Sequence, residues 1–169
     1  MSIEGKVGLT TGAGQGTGRA IALRLASDGA DISLVDVNAD RVGAVADEVR
    51  AAGSKAISLI ADVTDRDQVR SAVDRTEREL GGFDIIVNNA GIAQVDPIAD
   101  ATPEDVSRIL AVNVEGVLWG TQAAADKFRA RGHGGKIINA SSIAGHEGFA
   151  MLGVYSATKF AVRALTQAA

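Results

Sequence analysis

Three features of the sequence predict an α/β fold built on a doubly wound parallel sheet. Short apolar runs alternate five times with stretches of helical periodicity, the pattern of a parallel sheet with helices on both faces. The first apolar run ends in a glycine-dense turn, Gly12-Ala-Gly-Gln-Gly-Thr-Gly18, that opens directly into a helical stretch. The 169 residues are 46% apolar, enough to enclose one core in one domain spanning 1–169.

In chain order, 6–11 reads as a buried strand, 12–18 as the turn, and 19–27 as a helix stopped by Asp28-Gly29. A second strand is expected at 31–36, an amphipathic helix at 40–52 with Gly53 as its stop, and a third strand at 55–61. Thr64 is the expected N-cap of a charged helix at 65–80, which Gly81-Gly82 ends. The fourth strand covers 83–87 and runs into Asn88-Asn89-Ala90-Gly91. After a loop at 92–101, Thr102-Pro103-Glu104-Asp105 starts a helix, with Pro at its first position and acids in its first turn. That helix extends to about Arg131, bent near Gly116 or Gly120. A turn at 132–135, a fifth strand at 136–140 and a final helix from near Gly153 to Ala169 complete the order. With right-handed crossovers this is a Rossmann-type sheet. The final helix carries no stop signal, and a sheet ending there leaves its fifth strand at an edge, so the chain reads as the N-terminal part of a longer single domain.

Composition narrows the chemistry. A net charge of −4 offers no basic footprint for nucleic acid. The absence of cysteine excludes a disulfide scaffold, a thiolate nucleophile and a Cys-ligated metal. No apolar run approaches the length of a membrane span, and the first residues lead straight into a strand, so a cytoplasmic protein is expected.

Candidate site residues collect at the carboxyl ends of the expected strands. Glycines at 12, 14, 16 and 18 allow a phosphate to approach the backbone at a helix N-terminus. Asp36 closes the second strand, where a carboxylate accepts from an adenosine ribose and repels a 2′-phosphate. Val37, Asn38 and Gln15 add no positive charge beside it, which favours NAD over NADP; Arg41 is the residue that could oppose this. Asp62, followed by Val63, either bonds an adenine amino group or helps to cap the next helix. Asn88 and Asn89 either cross-link strand ends or face a cofactor. Tyr155 and Lys159 are four apart in a helix and so share a face, where an ammonium favours the phenolate form of a tyrosine. Such a pair is a working acid and base, or else two exposed side chains.

The set Thr11-Gly12-xxx-Gly16-x-Gly18, Asn88-Asn89-Ala90-Gly91, Asn113, Ser142 and Tyr155-xxx-Lys159 resembles the classical short-chain dehydrogenase/reductase family in order and spacing. The resemblance implies that Tyr155 is the general acid in reduction and the base in oxidation. Lys159 would hold the nicotinamide ribose and tune Tyr155, Ser142 would bond the substrate oxygen, and Asn113 would position a water in a proton relay. It implies NAD held by Gly12, Gln15, Gly16, Thr17, Gly18, Asp36, Asp62, Val63, Asn89, Ala90, Gly91, Tyr155 and Lys159, no metal, and a homotetramer. Ser141 is the rival to Ser142, and Asn139 reads as structural. Thr17 and Gly8 depart from the family's common Ile and Ala.

Within the family, stretches around Leu80, Asn88, Gly135 and Tyr155 resemble the acetoin (diacetyl) reductases, also called butanediol dehydrogenases. Ile143 and Phe149 would then line an apolar pocket for a small methyl ketone or diketone, more like the branch preferring S-configured alcohols; ordinary loop packing is the other reading. Gln94 faces substrate or fills its loop, and His133 and His146 read as loop residues. A different short-chain dehydrogenase substrate (a sugar, polyol or cyclic ketone) or an NAD-binding but inactive form is the alternative.

Overall fold

The computed structural model describes residues 2–169. Five strands, β1 (Val7–Thr11), β2 (Asp31–Asp36), β3 (Ala56–Ile60), β4 (Ile85–Asn88) and β5 (Lys136–Asn139), form one parallel sheet in the order β3-β2-β1-β4-β5. The chain moves outward from β1 to β3, then returns to the other side of β1 for β4. That reversal makes β1 and β4 a topological switch point, where a crevice opens at the carboxyl ends of the strands.

Helices cover both faces. α1 (Gly16–Ser27) and α2 (Ala39–Ala51) enclose a cluster with Ile32, Leu34 and Ala56, in which Val42, Val45, Ala46 and Val49 are the buried stripe of α2. α3 (Arg66–Leu80) and α5 (Gly116–Arg131) enclose the opposite cluster, with Leu9, Val35, Leu59, Phe83 and Ile86. Residues 34 and 35 of one strand thus serve opposite cores, as the period of two requires. Because β1, β2 and β4 are covered on both sides, they are buried in nearly every position, the polar Thr10, Thr11, Ser33 and Asn88 included.

The boundaries refine the expectations. Thr64 does not cap α3: its hydroxyl is drawn to Asp62 Oδ1 at 2.8 Å, and Asp65 caps instead, accepting from the N–H groups of Asp67 and Gln68. α1 begins at Gly16 rather than Arg19, so its first turn forms part of the glycine loop. The fourth strand spans Ile85–Asn88, because Phe83 turns inward to stack on Phe128, ring centroids 5.6 Å apart. The long helix is α4 (Pro103–Leu110), a π turn (Ala111–Glu115) and α5. Its irregularity precedes Gly116, and the two glycines mark close approach rather than a hinge. A methyl at Gly116 would lie 2.9 Å from Val63 Cγ2, and one at Gly120 would overlap the Asn88 side chain. α6 (Gly153–Ala168) closes the chain, and β5 lies at an edge of the sheet. Among the described residues no helix is long and apolar enough to cross a membrane.

The glycines sort by what surrounds them. A methyl at Gly18 would overlap the carbonyl oxygen of Gly12, which is backbone and cannot step aside. Gly43 sits half-buried in the interior of α2 with nothing within 4 Å. Gly18→Ala is therefore expected to cost about 2–3 kcal/mol through overpacking, while Gly43→Ala gains about 0.5–1 kcal/mol from helix propensity. Urea denaturation of the two variants checks both signs.

Candidate active site

A cleft of about 760 Å³ runs along the switch point. Its lining contains all eleven residues expected of a cofactor site on the first four strand ends: Gly12, Gln15, Gly16, Thr17, Gly18, Asp36, Asp62, Val63, Asn89, Ala90 and Gly91. The floor is made of main chain. Gly12 takes a left-handed φ of 62°, and a methyl there would lie 2.8 Å from Ala90 Cα. Thr11 Oγ1 accepts from the N–H groups of Asn89 (3.0 Å) and Ala90 (3.1 Å), and Asn89 Nδ2 donates back to Thr11 O at 3.0 Å. Asn89 thus joins β4 to the glycine loop, and Asn88 cross-links to β5 through Asn139 at 2.8 Å, so both asparagines hold strand ends together.

The N-terminus of α1 faces this cleft without a cap. Asn38, Asp65 and Thr102 place side-chain oxygens on the first N–H groups of α2, α3 and α4, whereas Gln15 places none on those of α1. Gln15 instead accepts from Arg41 Nη1 at 2.6 Å. Asp36 shapes the loop: Oδ2 accepts from Gly14 N–H at 2.9 Å and Oδ1 from Asn38 N–H at 3.0 Å. Asp62 caps locally through Thr64 while also lining the cleft.

The Tyr155/Lys159 pair stands beyond Gly91. Lys159 is 5% exposed, and no carboxylate pairs with it among the described residues. Its Nζ donates to Ala140 O at 2.8 Å and lies 5.6 Å from the centre of the Tyr155 ring. Burial holds this ammonium below the ordinary lysine range. A methyl at Gly91 would lie 3.7 Å from Lys159 Nζ and 3.3 Å from Asn113 Oδ1, so the cleft and the pair meet at that glycine. Ser141 spends its hydroxyl on Lys159 O at 3.0 Å. Ser142 Oγ accepts from Ala144 N–H at 3.2 Å, which leaves its own proton to donate. The two serines thus differ: the Ser141 proton has a partner in the fold and the Ser142 proton does not.

The side-chain amide of Asn113, which the family resemblance assigned to positioning a relay water, is engaged by protein partners. It is fully buried in the π turn, with Oδ1 accepting from Ile92 N–H at 2.8 Å and Nδ2 donating to Ile92 O at 2.9 Å and Thr158 Oγ1 at 3.1 Å. Both amide protons are committed, so this side chain is a clamp and has no donor left for a water. Ile143, which follows Ser142 in the chain, and Phe149 stand open, 67% and 36% exposed. His146 contacts Arg163 at 3.2 Å and His133 contacts Gly134 O, as loop residues do.

Sequence reading missed Arg108, Ala111 and Val112, which also line the cleft. They reach it because the α4–π segment crosses the strand ends, an orientation that no local pattern encodes. It also missed Thr158, although its position three residues after Tyr155 puts it on the same helix face.

Fold and cleft place the chain among the Rossmann-type α/β proteins. Residues 6–169 match the short chain dehydrogenase family model, and the chain belongs to that family. It is 49% identical over 166 residues to an L-2,3-butanediol dehydrogenase of Corynebacterium glutamicum, covering 97% of this chain and 64% of that one. It is 49% identical over 164 residues to an (S)-acetoin-forming diacetyl reductase of Staphylococcus aureus, with the same coverage of 97% and 64%. A short chain dehydrogenase/reductase from Burkholderia phymatum, solved in complex with NAD, superposes with a TM-score of 0.96 at 33% identity over 99% of this chain and 60% of that one. The chain spans about 64% of the length of the two curated relatives.

The desolvated ammonium gives a pH signature. With its folded pKa held below the ordinary lysine value of 10.5, the unfolded chain binds more protons between those two values, so stability rises with pH there. Below the folded value the penalty is constant. The unfolding free energy of the wild type minus that of Lys159→Met is therefore expected to rise as pH approaches 10.5 from neutrality. Urea titrations at several pH values measure it, and a flat difference would mean that the ammonium is solvated.

Proposed function

We propose that the whole protein is an NAD(H)-dependent oxidoreductase that interconverts a small ketone or diketone with a secondary alcohol, with diacetyl, acetoin and 2,3-butanediol as the substrates to test first. The observation that carries this reading is the buried Lys159 ammonium without a carboxylate, set against Tyr155 at the end of a glycine-floored cleft. A buried cation without a counter-charge favours an anion beside it, and a phenolate is the one this helix can offer.

The residues present fit the cofactor. The uncapped N-terminus of α1 and the methyl-free floor at Gly12 and Gly18 suit a pyrophosphate. Gln15, Gly16, Thr17 and Ala90 would line it, Asp36 would accept from the adenosine ribose, and Asp62 and Val63 would flank the adenine. Gly91, Tyr155 and Lys159 would border the nicotinamide ribose. When bound, the nicotinamide supplies a hydride to the carbonyl carbon in reduction or takes one from the carbinol carbon in oxidation. In reduction Tyr155 gives the phenol proton to the developing alkoxide oxygen while Ser142 donates a hydrogen bond to the same oxygen. Lys159 then stabilises the phenolate left on Tyr155. In oxidation Tyr155 starts as phenolate and takes the hydroxyl proton. Asn113 would support this relay by fixing the Ile92 segment rather than by holding a water with its amide.

Substrate choice rests on two supports: the names of the butanediol and diacetyl relatives, and the exposed apolar side chains Ile143 and Phe149 in the segment that follows Ser142. The homotetramer implied by family resemblance would bury apolar surface such as Leu110 and Phe160, 38% and 43% exposed in the monomer; light scattering measures it.

Oxidation of NADH by diacetyl, followed at 340 nm, tests the activity. Tyr155→Phe is expected to lower kcat by about 10²–10⁴-fold, the usual worth of a general acid, while NADH binding by fluorescence titration persists. Full activity in Tyr155→Phe would falsify the assignment of the acid, and NADH binding without wild-type turnover would favour the inactive alternative. For cofactor choice, NADH is expected to bind more tightly than NADPH. Asp36→Asn, which keeps an acceptor for Gly14 N–H but removes the charge, is expected to narrow the gap by about tenfold, or ~1.4 kcal/mol.

A further inference from the structure

We propose that Thr158 is a positioning residue that ties the Tyr155/Lys159 helix to the wall of the cleft, a role that rests on the reductase reading above. Thr158 lies between the two residues of the pair and is fully buried. Its Oγ1 donates to the carbonyl oxygen of Tyr155 at 2.7 Å and accepts from Asn113 Nδ2 at 3.1 Å. Asn113 in turn clamps both polar atoms of the Ile92 peptide, at 2.8 and 2.9 Å. An unbroken chain of hydrogen bonds thus runs from Ile92, which lines the cleft, through Asn113 and Thr158 to the backbone of Tyr155.

The direction of each bond is fixed. Ile92 N–H requires an acceptor, so Asn113 turns Oδ1 toward it, and both Asn113 protons are then assigned to Ile92 O and Thr158. Thr158 can only accept from Asn113, so its single proton goes to Tyr155 O. A threonine that bonds back to a carbonyl one turn earlier also bends its helix locally, which sets the angle of the residue it holds.

The same helix supplies a control. Thr166 Oγ1 donates to Val162 O at 2.7 Å and accepts from Asn139 Nδ2 at 3.0 Å, a similar pair of bonds at the far end of α6 that reaches back four residues rather than three and is exposed rather than buried. That pair holds α6 to β5 and touches nothing in the cleft.

The test compares Thr158→Val, Thr158→Ser and Thr166→Val in the whole protein. Thr158→Val is expected to lower kcat for diacetyl by about 10–100-fold, the cost of a small misplacement, with the NADH dissociation constant changed by less than about threefold. Thr158→Ser, which restores the hydroxyl, is expected to recover kcat, and Thr166→Val to lower the melting temperature with kcat unchanged. Hydrogen exchange at Ile92 N–H is expected to quicken in Thr158→Val only, a readout that needs no turnover. Equal losses of kcat in Thr158→Val and Thr166→Val, no rescue by serine, or unchanged exchange at Ile92 would each overturn the proposal. A wild type that binds NADH but does not reduce diacetyl would sink the reductase reading instead, and the exchange measurement would still decide Thr158.

Discussion

The contact on which this molecule depends is backbone against backbone: Gly12, just past β1, against Ala90, just past β4. A doubly wound order puts these two strands side by side while their helices leave in opposite directions, so their ends must part and leave a crevice. A crevice lined by peptide groups is costly unless those groups are bonded. Here Thr11 and Asn89 satisfy each other across the floor through short side chains. The first N–H groups of α1 have no side-chain cap at this opening, the kind of helix terminus that suits an anion.

The second constraint is electrostatic. Taking an ammonium out of water is expensive, and the structure offsets Lys159 only with the carbonyl of Ala140 and the face of Tyr155. A carboxylate in that place would compensate the buried ammonium more fully. The exposed ion pairs elsewhere, such as Arg75–Glu79 and Arg108–Asp105, show that the chain has carboxylates to spend where solubility and helix stability are at stake. Leaving Lys159 without one is a stability cost, and on the proposed reading it falls where chemistry can use it.

Periodicity and punctuation made most of the sheet and helix order legible, because five apolar runs ending in glycine, asparagine or aspartate have few other solutions. The glycine loop, Asp36, Asp62 and Asn89 were legible because in a parallel sheet the carboxyl ends all point one way, so residues that close strands are neighbours before any contact is known; the rest of the eleven cleft residues came from the family resemblance. What escaped depended on tertiary direction. Asp65 displaced Thr64 as a cap because Asp62 competes for the threonine hydroxyl, a contest invisible in residue preferences. The π turn at Ala111–Glu115 has no sequence signature, yet it swings Ala111 and Val112 onto the cleft and turns Asn113 inward. Asn113 was found by its family spacing, but its use as a clamp on Ile92 follows only from which amide protons have partners.

Asp36 shows why loop shape and ligand choice are inseparable here. Both carboxylate oxygens already hold backbone N–H groups, of Gly14 and Asn38, so the side chain fixes the glycine loop before any ligand arrives. Gly14 must then lack a side chain, since a methyl there would sit 2.9 Å from Asp36 Oδ2. On the proposed reading the same charge repels a 2′-phosphate. Arg41, the one cation that could welcome that phosphate, is held over the loop by Gln15, with its Cβ only 3.0 Å from the position a Gly14 methyl would take. Truncating Asp36 would alter the loop, the freedom of Arg41 and the local charge together. Changing cofactor preference in this scaffold therefore means removing the charge while keeping an acceptor in the same place, because geometry and electrostatics share one pair of oxygens.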